Sequence, residues 1–421
     1  MVDVDVGRLR SLRTALLGAV ALVLVAACSG APSSVGPSSV GPSSVEHASA
    51  GSTAAGVPGD GPALRPGERF VDLAVPAPYT PSAPDGGDDE YRCFLMDPRL
   101  DGAAFLTGTR FRPQNAALVH HAILFGVLPG NAAAARELDA RTPGEGWTCF
   151  GDDGVAGPSQ WVGHWAPGVH ELLLPPTLGY PMPPGSLIVM QVHYNLRATG
   201  HRGSHTGSHT GTTGHDAGTA GHDAGASDRS AVRLRLTDRT AGMTPLRTEL
   251  LPAPVELPCP PGDAGPLCDR TAAVADVAQR FGSDVGGTED GLVQRCSGGT
   301  PRPGPTQQCD HVVPDDGIVR AVGGHLHLLG RSVRIELNPG TAAARVLLDE
   351  RAYDFDDQGM RLLADPVPVH SGDTLRVTCT HDATLRRRLP ALSGLPPRYV
   401  VWGDGTADEM CLGLAVVTPS A

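Results

Sequence analysis

Short apolar or alternating segments, bounded by Pro, Gly and Asp, recur along the chain and limit the folds it can adopt. Seven stand out, at residues 117–127, 187–194, 232–236, 318–329, 332–337, 374–379 and 412–417. Short runs with a period of two and turn residues at both ends are typical of antiparallel strands. Only residues 132–140 and 271–280 have helical periodicity. The pattern therefore predicts an all-β protein of two antiparallel β-sandwich domains.

Two low-complexity stretches divide the 421 residues. Residues 29 to about 66 are mainly Pro, Ser, Gly and Ala, and residues 200–228 place five histidines among Gly, Thr, Ser and Asp. Such segments bury too little apolar surface to offset chain entropy. We predict a signal peptide at 1–27, a disordered tether at 28–67, a first domain at 68–199, a linker at 200–228 and a second domain at 229–421. The second domain carries a loop-rich insertion at about 256–310.

The N-terminus has the pattern of an export signal. Arg8, Arg10 and Arg13 precede an apolar run at about 15–27, which ends in Val-Ala-Ala before Cys28. The run is too short to span a bilayer as a stable helix. The motif resembles a bacterial lipobox, which implies a lipid anchor on Cys28 and attachment to the outer side of a membrane in the cell envelope or periplasm. An ordinary secretory signal with a fortuitous cysteine is the alternative.

Cysteine usage fits an exported chain. Without Cys28, the nine cysteines leave eight, at positions 93, 149, 259, 268, 296, 309, 379 and 411. An even number predicts up to four disulfides that staple loops. No Cys-x-x-Cys pair occurs, which disfavours a zinc ribbon or a thioredoxin-like redox site.

Charge excludes several classes of function. The net charge is -12, and no dense basic tract offers a surface to nucleic acid. All 33 basic residues are arginine, so a Schiff-base lysine and a phosphate-loop lysine are both excluded.

Histidines in strand-like segments predict metal binding. His325 and His327 are two apart, so on a strand both imidazoles face one side, and the small residues around them leave room for a ligand. His120 and His121 are adjacent and would reach one ion only if the strand bulges or twists. His193 is a plausible third ligand. Surface histidines, or a core histidine bonded to backbone, are the alternatives.

Met410 lies in Asp-Glu-Met-Cys, a polar stretch rather than a core segment. Methionine usually fills gaps in cores, so its place here favours a role as a soft metal ligand. The neighbouring Asp408 and Glu409 are expected to be solvated turn residues. Five imidazoles and one thioether form a ligand set that suits copper and does not suit magnesium or calcium.

Five motifs together resemble the copper type II, ascorbate-dependent monooxygenases, the family of peptidylglycine α-hydroxylating monooxygenase and dopamine β-monooxygenase. They are His-His-Ala-Ile-Leu-Phe-Gly at 120–126, Gln-Val-His-Tyr-Asn at 191–195, His-Leu-His-Leu-Leu-Gly at 325–330, Pro-Val-His-Ser-Gly-Asp-Thr-Leu with Thr-Cys-Thr-His at 368–381, and Asp-Glu-Met-Cys at 408–411. Their order is that of the family.

The resemblance implies two copper ions. One would be held by His120, His121 and His193 and would relay electrons; the other, held by His325, His327 and Met410, would be the catalytic site. It also implies two jelly-roll-like domains facing each other across a solvent cleft, ascorbate or another one-electron donor as reductant, O2 as co-substrate, and a disulfide from Cys379 to Cys411. A pairing of Cys93 with Cys149 is a guess.

The chain differs from the family at positions that bind the substrate. In the peptidylglycine branch an Arg, an Asn and a Tyr hold the peptide carboxylate, and the matching positions here are Gly323, Leu412 and Leu414. A glycine-extended peptide is therefore disfavoured, and a less charged small molecule is expected.

Three other interpretations remain open. The chain could be a non-catalytic copper-binding lipoprotein that keeps the sites without turnover. A zinc hydrolase would lack the usual general-base motif and would leave Met410 without a role. Histidines at 201–222 could collect copper for the two sites, although a polar spacer of drifting composition also explains them.

Overall fold

Strands dominate the structure. The computed structural model describes residues 62–83, 89–167, 169, 171–196 and 226–420. The predicted signal peptide, Cys28, nearly all of the tether and most of the histidine-rich linker lie outside these residues. Within them no helix has the length and apolar character of a membrane span.

The described strands are, in chain order, β1 (Glu68–Ala74), β2 (Asp89–Met96), β3 (Ala104–Arg112), β4 (Val119–Val127), β5 (Trp147–Thr148), β6 (Ser159–Trp165), β7 (Leu172–Leu173), β8 (Leu178–Met182), β9 (Leu187–Asn195), β10 (Ala231–Thr237), β11 (Thr244–Pro245), β12 (Arg247–Pro252), β13 (Glu256–Leu257), β14 (Thr306–Val312), β15 (Gly317–His325), β16 (Gly330–Leu337), β17 (Arg345–Glu350), β18 (Arg361–Val369), β19 (Thr374–His381), β20 (Val400–Val401) and β21 (Leu412–Pro419). The helices are α1 (Ala132–Asp139), α2 (Arg270–Phe281), α3 (Ser283–Ser297), α4 (Leu385–Arg388) and α5 (Pro390–Ser393). The prediction of an all-β fold is confirmed.

Two sheets share a core in the first half of the chain. One has the order β1-β10-β3-β8-β11, with β7 beside β3, and the other has the order β5-β2-β9-β4-β6. Leu106 and Leu234 of the first sheet lie in one apolar cluster with Phe94, Leu124 and Met190 of the second. Burial of alternate residues on both sheets explains why these segments read as strands.

The second half repeats this arrangement. Its sheets have the orders β12-β21-β15-β18 and β14-β19-β16-β17, and a two-stranded sheet of β13 and β20 lies apart. Val319 and Val417 share a core with Ile335 and Val377 of the other sheet. Ala321 and Val416, on the outer face of the β15-β21 pair, belong to the core of the first half instead. The two halves therefore pack directly against each other.

The predicted domain boundary at residue 229 does not match the sheets. Strand β10 pairs with β1 and β3, and β11 pairs with β8, so both strands belong to the first half. Strand β12, which pairs with β21, is the first strand of the second half. The linker composition suggested the boundary because low complexity marks where order ends, but the chain returns to the first sheet after it.

The insertion at 256–310 is helical rather than loop-rich. Helix α2 was expected, and Asp269 caps it by accepting a hydrogen bond from the Ala272 N–H at 2.9 Å. Helix α3 was missed because Gly286, Gly287 and Gly291 lower its helix propensity. Gly286 allows the two helices to approach, since a Cβ there would lie 2.4 Å from Ala278 Cβ.

All eight described cysteines are paired. The disulfides are Cys93–Cys149, Cys259–Cys268, Cys296–Cys309 and Cys379–Cys411. Cys379–Cys411, which the resemblance implied, is therefore present in the structure. Cys93–Cys149, which was a guess, is present as well.

Candidate metal centre

A β-bulge brings the first three histidines together. In the pairing of β4 with β9, His121 lies opposite His193, and the register shifts between Val119 and His121. His120 is the extra residue of this irregularity, so adjacent imidazoles can turn toward one point. A bulge or a twist was the condition for both histidines to reach one ion, and the strand is irregular at this point.

The Nδ1 atoms of the three rings face one another. His120 Nδ1 lies 3.1 Å from His121 Nδ1 and 3.1 Å from His193 Nδ1, and the remaining edge measures 3.4 Å. The centre of such a triangle lies roughly 1.9 Å from each nitrogen, close to the length of a metal–imidazole bond of about 2.0 Å. Within the described chain, this is the cluster of His, Cys, Asp or Glu residues whose donors converge as a metal requires. The three residues therefore fit one transition-metal ion.

Two neighbours fix the orientation of His193. Its Nε2–H donates to Asp89 Oδ1 at 2.9 Å, and its ring stacks on that of Tyr91 with centroids 4.1 Å apart. A proton on Nε2 leaves the lone pair on Nδ1, which is the nitrogen that faces the other two histidines. Asp89 also accepts from the Thr406 hydroxyl at 2.7 Å, so it connects this set to the loop before Met410.

The second histidine pair lies where β15 ends. His325 is the last residue of the strand and His327 follows it, with ring centroids 5.3 Å apart. Between them Leu326 is fully buried, and Tyr353 holds its backbone by accepting from its N–H at 2.9 Å and donating to its carbonyl at 2.7 Å. Both imidazoles therefore stay on one side, as the spacing predicts.

The glycines before this pair allow close packing. A Cβ on Gly324 would lie 2.4 Å from Val333 Cγ1, and one on Gly323 would lie 2.6 Å from Met360 Sδ. Gly324 also borders a pocket beside His121 and His325. The two glycines allow β16 and Met360 to approach the strand that carries His325.

Hydrogen bonds assign the tautomers of the second pair. His325 Nδ1–H donates to Gln358 Oε1, and His327 Nδ1–H donates to the Asp408 carbonyl at 3.3 Å. His327 Nε2 is buried and has no hydrogen-bond partner among the described residues. A buried lone pair without a partner is costly in a native structure and marks a place for a ligand. This orphaned nitrogen supports metal binding by the second pair.

The backbone of Met410 lies near that of His327. The last residue pair of β15 with β21 joins His325 to Leu412, and His327 and Met410 each lie two residues beyond this pair. The Glu409 carboxylate accepts from the N–H of His327 at 2.9 Å and from that of Met410 at 3.1 Å. Met410 itself is buried in the core of the second half.

Asp408 and Glu409 are not the solvated turn residues that the sequence suggested. Their exposed fractions are 1% and 0%. Glu409 also accepts from the Leu329 N–H at 2.6 Å, and Asp408 receives two hydrogen bonds of 2.7 Å from Arg280 of α2. The prediction failed because acidic residues in a Gly- and Asp-rich stretch have the composition of a surface turn. Carboxylates that are buried and accept several hydrogen bonds cannot be distinguished from exposed ones by composition. Both side chains hold the Met410 loop.

The loop has further supports. The disulfide Cys379–Cys411 attaches it to β19, and His381 Nε2–H donates to the Met410 carbonyl at 3.2 Å. His381 ended one of the sequence motifs, but nothing in the sequence pointed to this contact.

Burial favours the neutral form of His120, His121, His325 and His327. It lowers the pKa of His120 and His121 well below the usual value, with neighbouring histidines adding to the effect. Burial and His327 lower the pKa of His325 to about 3. Burial also lowers the pKa of His327, against the opposing effect of Glu409. Neutral imidazoles with free lone pairs are the form that binds metal.

The two histidine sets contact each other. The rings of His121 and His325 have centroids 5.6 Å apart. The resemblance implied a solvent cleft between the sites, and the structure brings the two histidine sets into contact at this place. Ala321 and Val416 of the second half pack against the core of the first.

A known protein family matches part of the second half of the chain. Residues 305–415 match the family model described as copper type II ascorbate-dependent monooxygenase, C-terminal domain. The chain contains this domain. It includes His325, His327 and Met410, whereas His120, His121 and His193 lie before it. No curated protein matches the chain.

The similarity of this chain to solved structures is weak. The major capsid protein P2 from Bacteriophage PM2 is 8% identical over 84% of this chain and 98% of its own, with a TM-score of 0.28. A xanthan lyase from Paenibacillus is 10% identical over 80% of this chain and 23% of its own, with a TM-score of 0.18. Likenesses this distant bear on neither fold nor function.

Proposed function

We propose that the protein is a copper-dependent monooxygenase that hydroxylates a C–H bond of a small organic substrate with O2 and ascorbate or another one-electron donor. One observation carries the proposal. A three-nitrogen set with converging Nδ1 atoms contacts a second set that belongs to a monooxygenase domain and has an orphaned buried Nε2. The first set would hold an electron-relaying copper, and the second set, with Met410, the copper at which oxygen meets substrate.

Copper held at these two sites would supply the redox chemistry, and the thioether of Met410 would favour the reduced ion. The overall reaction converts a C–H bond to C–OH. One O2, two protons and two electrons, the electrons given singly by two ascorbate molecules, yield the hydroxylated product and one water. The residues of this chain orient the ligands: Asp89 holds His193, Gln358 holds His325, and the Asp408 carbonyl holds His327.

The imidazoles are also shielded from solvent. They are buried or half-buried between the two halves, and His120 stacks on Phe355 with centroids 4.6 Å apart. Limited access of water would reduce side reactions at the site and strengthen local electrostatic interactions.

Copper loading and oxygen uptake together test the proposal. We expect two copper ions per chain and oxygen consumption that requires ascorbate, copper and substrate. His193→Ala should bind one copper and lose turnover, while His370→Ala, which changes an exposed imidazole beside Asp316, should retain both properties. Two bound copper ions without ascorbate-dependent oxygen uptake across a panel of small molecules would support the copper-handling alternative instead.

A further inference from the structure

A cavity adjoins the metal centre. Its inner lobe is bordered by His121 and His325, one from each histidine set. An outer lobe is bordered by residues of both halves. Trp161, His164 and Leu414 border both lobes, which places the lobes side by side.

The outer lobe lies between the two halves and is lined mainly by aliphatic side chains. Leu174, Leu178 and Leu246 come from the first half and its connection, and Met360 and Val416 come from the second half. Arg320 also borders this lobe, five residues before His325 on β15. At about 3.3 Å per residue, this separation amounts to roughly 16 Å along the strand. The cavity is therefore elongated, with the metal centre at one end.

Polar groups in the wall are mostly engaged with one another. Tyr180 Oη lies 2.9 Å from Thr248 Oγ1, and His164 Nε2–H donates to the Gln358 carbonyl at 2.9 Å. Burial lowers the pKa of His164, which keeps this part of the wall uncharged. Arg320 Nε–H donates to Thr418 Oγ1 at 3.2 Å.

Trp161 is the exception. Its indole N–H is buried and has no hydrogen-bond partner among the described residues. Tryptophan N–H groups in protein interiors normally find an acceptor, because a buried donor without one loses the hydrogen bonds it made to water. A bound molecule with an oxygen near Trp161 would supply that acceptor.

We propose that this cavity holds the substrate, and that the substrate is an uncharged, largely hydrocarbon molecule with one oxygen that accepts a hydrogen bond from Trp161. The assignment rests on the proposed monooxygenase function, and it names the substrate class of the same site. The reactive C–H bond lies at the inner lobe beside His325, and the hydrocarbon body fills the outer lobe. Apart from Arg320 at the outer end, the walls are mainly aliphatic and aromatic, and they cannot replace the water of a strongly hydrated group.

Binding to the oxidised, copper-loaded protein without ascorbate tests this separately from catalysis. Three matched probes serve: 4-phenylbutan-2-one, which has a carbonyl, butylbenzene, which has no oxygen, and 4-phenylbutanoate, which is charged. In calorimetric titrations we expect the ketone to bind most tightly and the carboxylate at least ten-fold more weakly. Trp161→Phe should weaken ketone binding by roughly ten-fold and leave butylbenzene unchanged, because only the hydrogen bond is lost.

Two further variants control the experiment. Trp147→Phe changes a tryptophan whose N–H bonds the Asp153 carbonyl away from the cavity, so ketone affinity should not change. Ala321→Phe fills the outer lobe and should abolish binding of both neutral probes.

The outcomes separate the two proposals. Tight binding of the carboxylate, an unchanged ketone affinity in Trp161→Phe, or neutral probes that bind Ala321→Phe as well as wild type would each overturn the substrate assignment. Ketone binding that follows the expected pattern, with no hydroxylated product when ascorbate and O2 are added, would leave the cavity assignment standing and count against the monooxygenase.

Discussion

At the scale of single residues, the sequence named candidate metal ligands, of which the structure brings His120, His121 and His193 together, but it did not predict the residues that support them. Histidine and methionine can be recognised as candidate metal ligands by their residue type and spacing. The sequence therefore named positions 120, 121, 193, 325, 327 and 410 as candidates. Their orienting partners come from distant parts of the chain, as with Asp89 and His193, which are 104 residues apart. Asp, Gln and Arg are common on surfaces, so no local pattern sets these residues apart from solvated ones.

Arg280 offers a test of this support. It donates two hydrogen bonds to Asp408, whose carbonyl accepts from His327. Arg280→Gln leaves a buried carboxylate with only Arg398, at 3.6 Å, as a charged partner. We expect copper affinity at the second site to fall by about ten-fold, the range seen when groups behind metal ligands are removed, while the first site is unchanged. Competition titration of Cu(I) with a chelator measures both sites.

A matched variant separates positioning from general destabilisation. Arg270→Gln removes a salt bridge to the buried Glu256 within the same insertion but away from the Met410 loop. It should lower stability without a selective loss of copper. Arg280→Lys should restore part of the affinity. Equal weakening of both copper sites in Arg280→Gln would contradict a positioning role.

At the scale of elements, strands were predictable where one face is buried, and the bulge in β4 followed from the need to turn two adjacent histidines to one ion. The Met410 loop was misjudged. Its Gly, Asp and Glu residues are typical of a surface turn, yet Asp404, Asp408 and Glu409 are buried between the halves. Long-range packing decides this burial, and a local pattern cannot report it.

Asp404 makes stability depend on pH. Burial, then Asp408 and Asp152, raise its pKa to about 7, and both of its carboxylate oxygens are buried without partners among the described residues. In the unfolded chain the same group ionises near pH 4. Between these values the folded state binds a proton that the unfolded state does not, so this group lowers stability as pH rises from about 4 to 7, and its effect is constant above.

Asp404→Asn removes this dependence. The variant should gain stability relative to wild type as pH rises through that window, by about 3 kcal/mol at pH 8 compared with pH 4.5. Urea unfolding of both proteins at the two pH values measures the difference. A gain of the same size at both values would show that the carboxyl is already ionised in the folded protein at pH 4.5.

At the scale of the whole molecule, each half contributes one histidine set, and the two sets meet. The order of the motifs predicted two sites but not their contact, because local spacing carries no information on how far two sheets approach. The return of β10 to the first sheet was also hidden, since composition marked a boundary that the topology does not follow.

A separate proposal concerns the attachment of the N-terminus to a membrane. We propose that Cys28 is lipidated and anchors the protein to the outer side of a bacterial membrane, on the strength of the basic, apolar and small-residue pattern before it. Cys28→Ser should abolish incorporation of labelled palmitate and move the protein from the membrane fraction to the soluble envelope fraction. Retention of label in the variant would rule out this cysteine as the acceptor.

The central claim is that two copper sites differ in their ligands, one having nitrogen alone and the other nitrogen with sulfur. X-ray absorption of the reduced, copper-loaded protein tests it most directly. We predict one sulfur scatterer per two copper ions in wild type, none in Met410→Ile, and one per single remaining copper in His193→Ala. An unchanged sulfur signal in Met410→Ile would contradict the account.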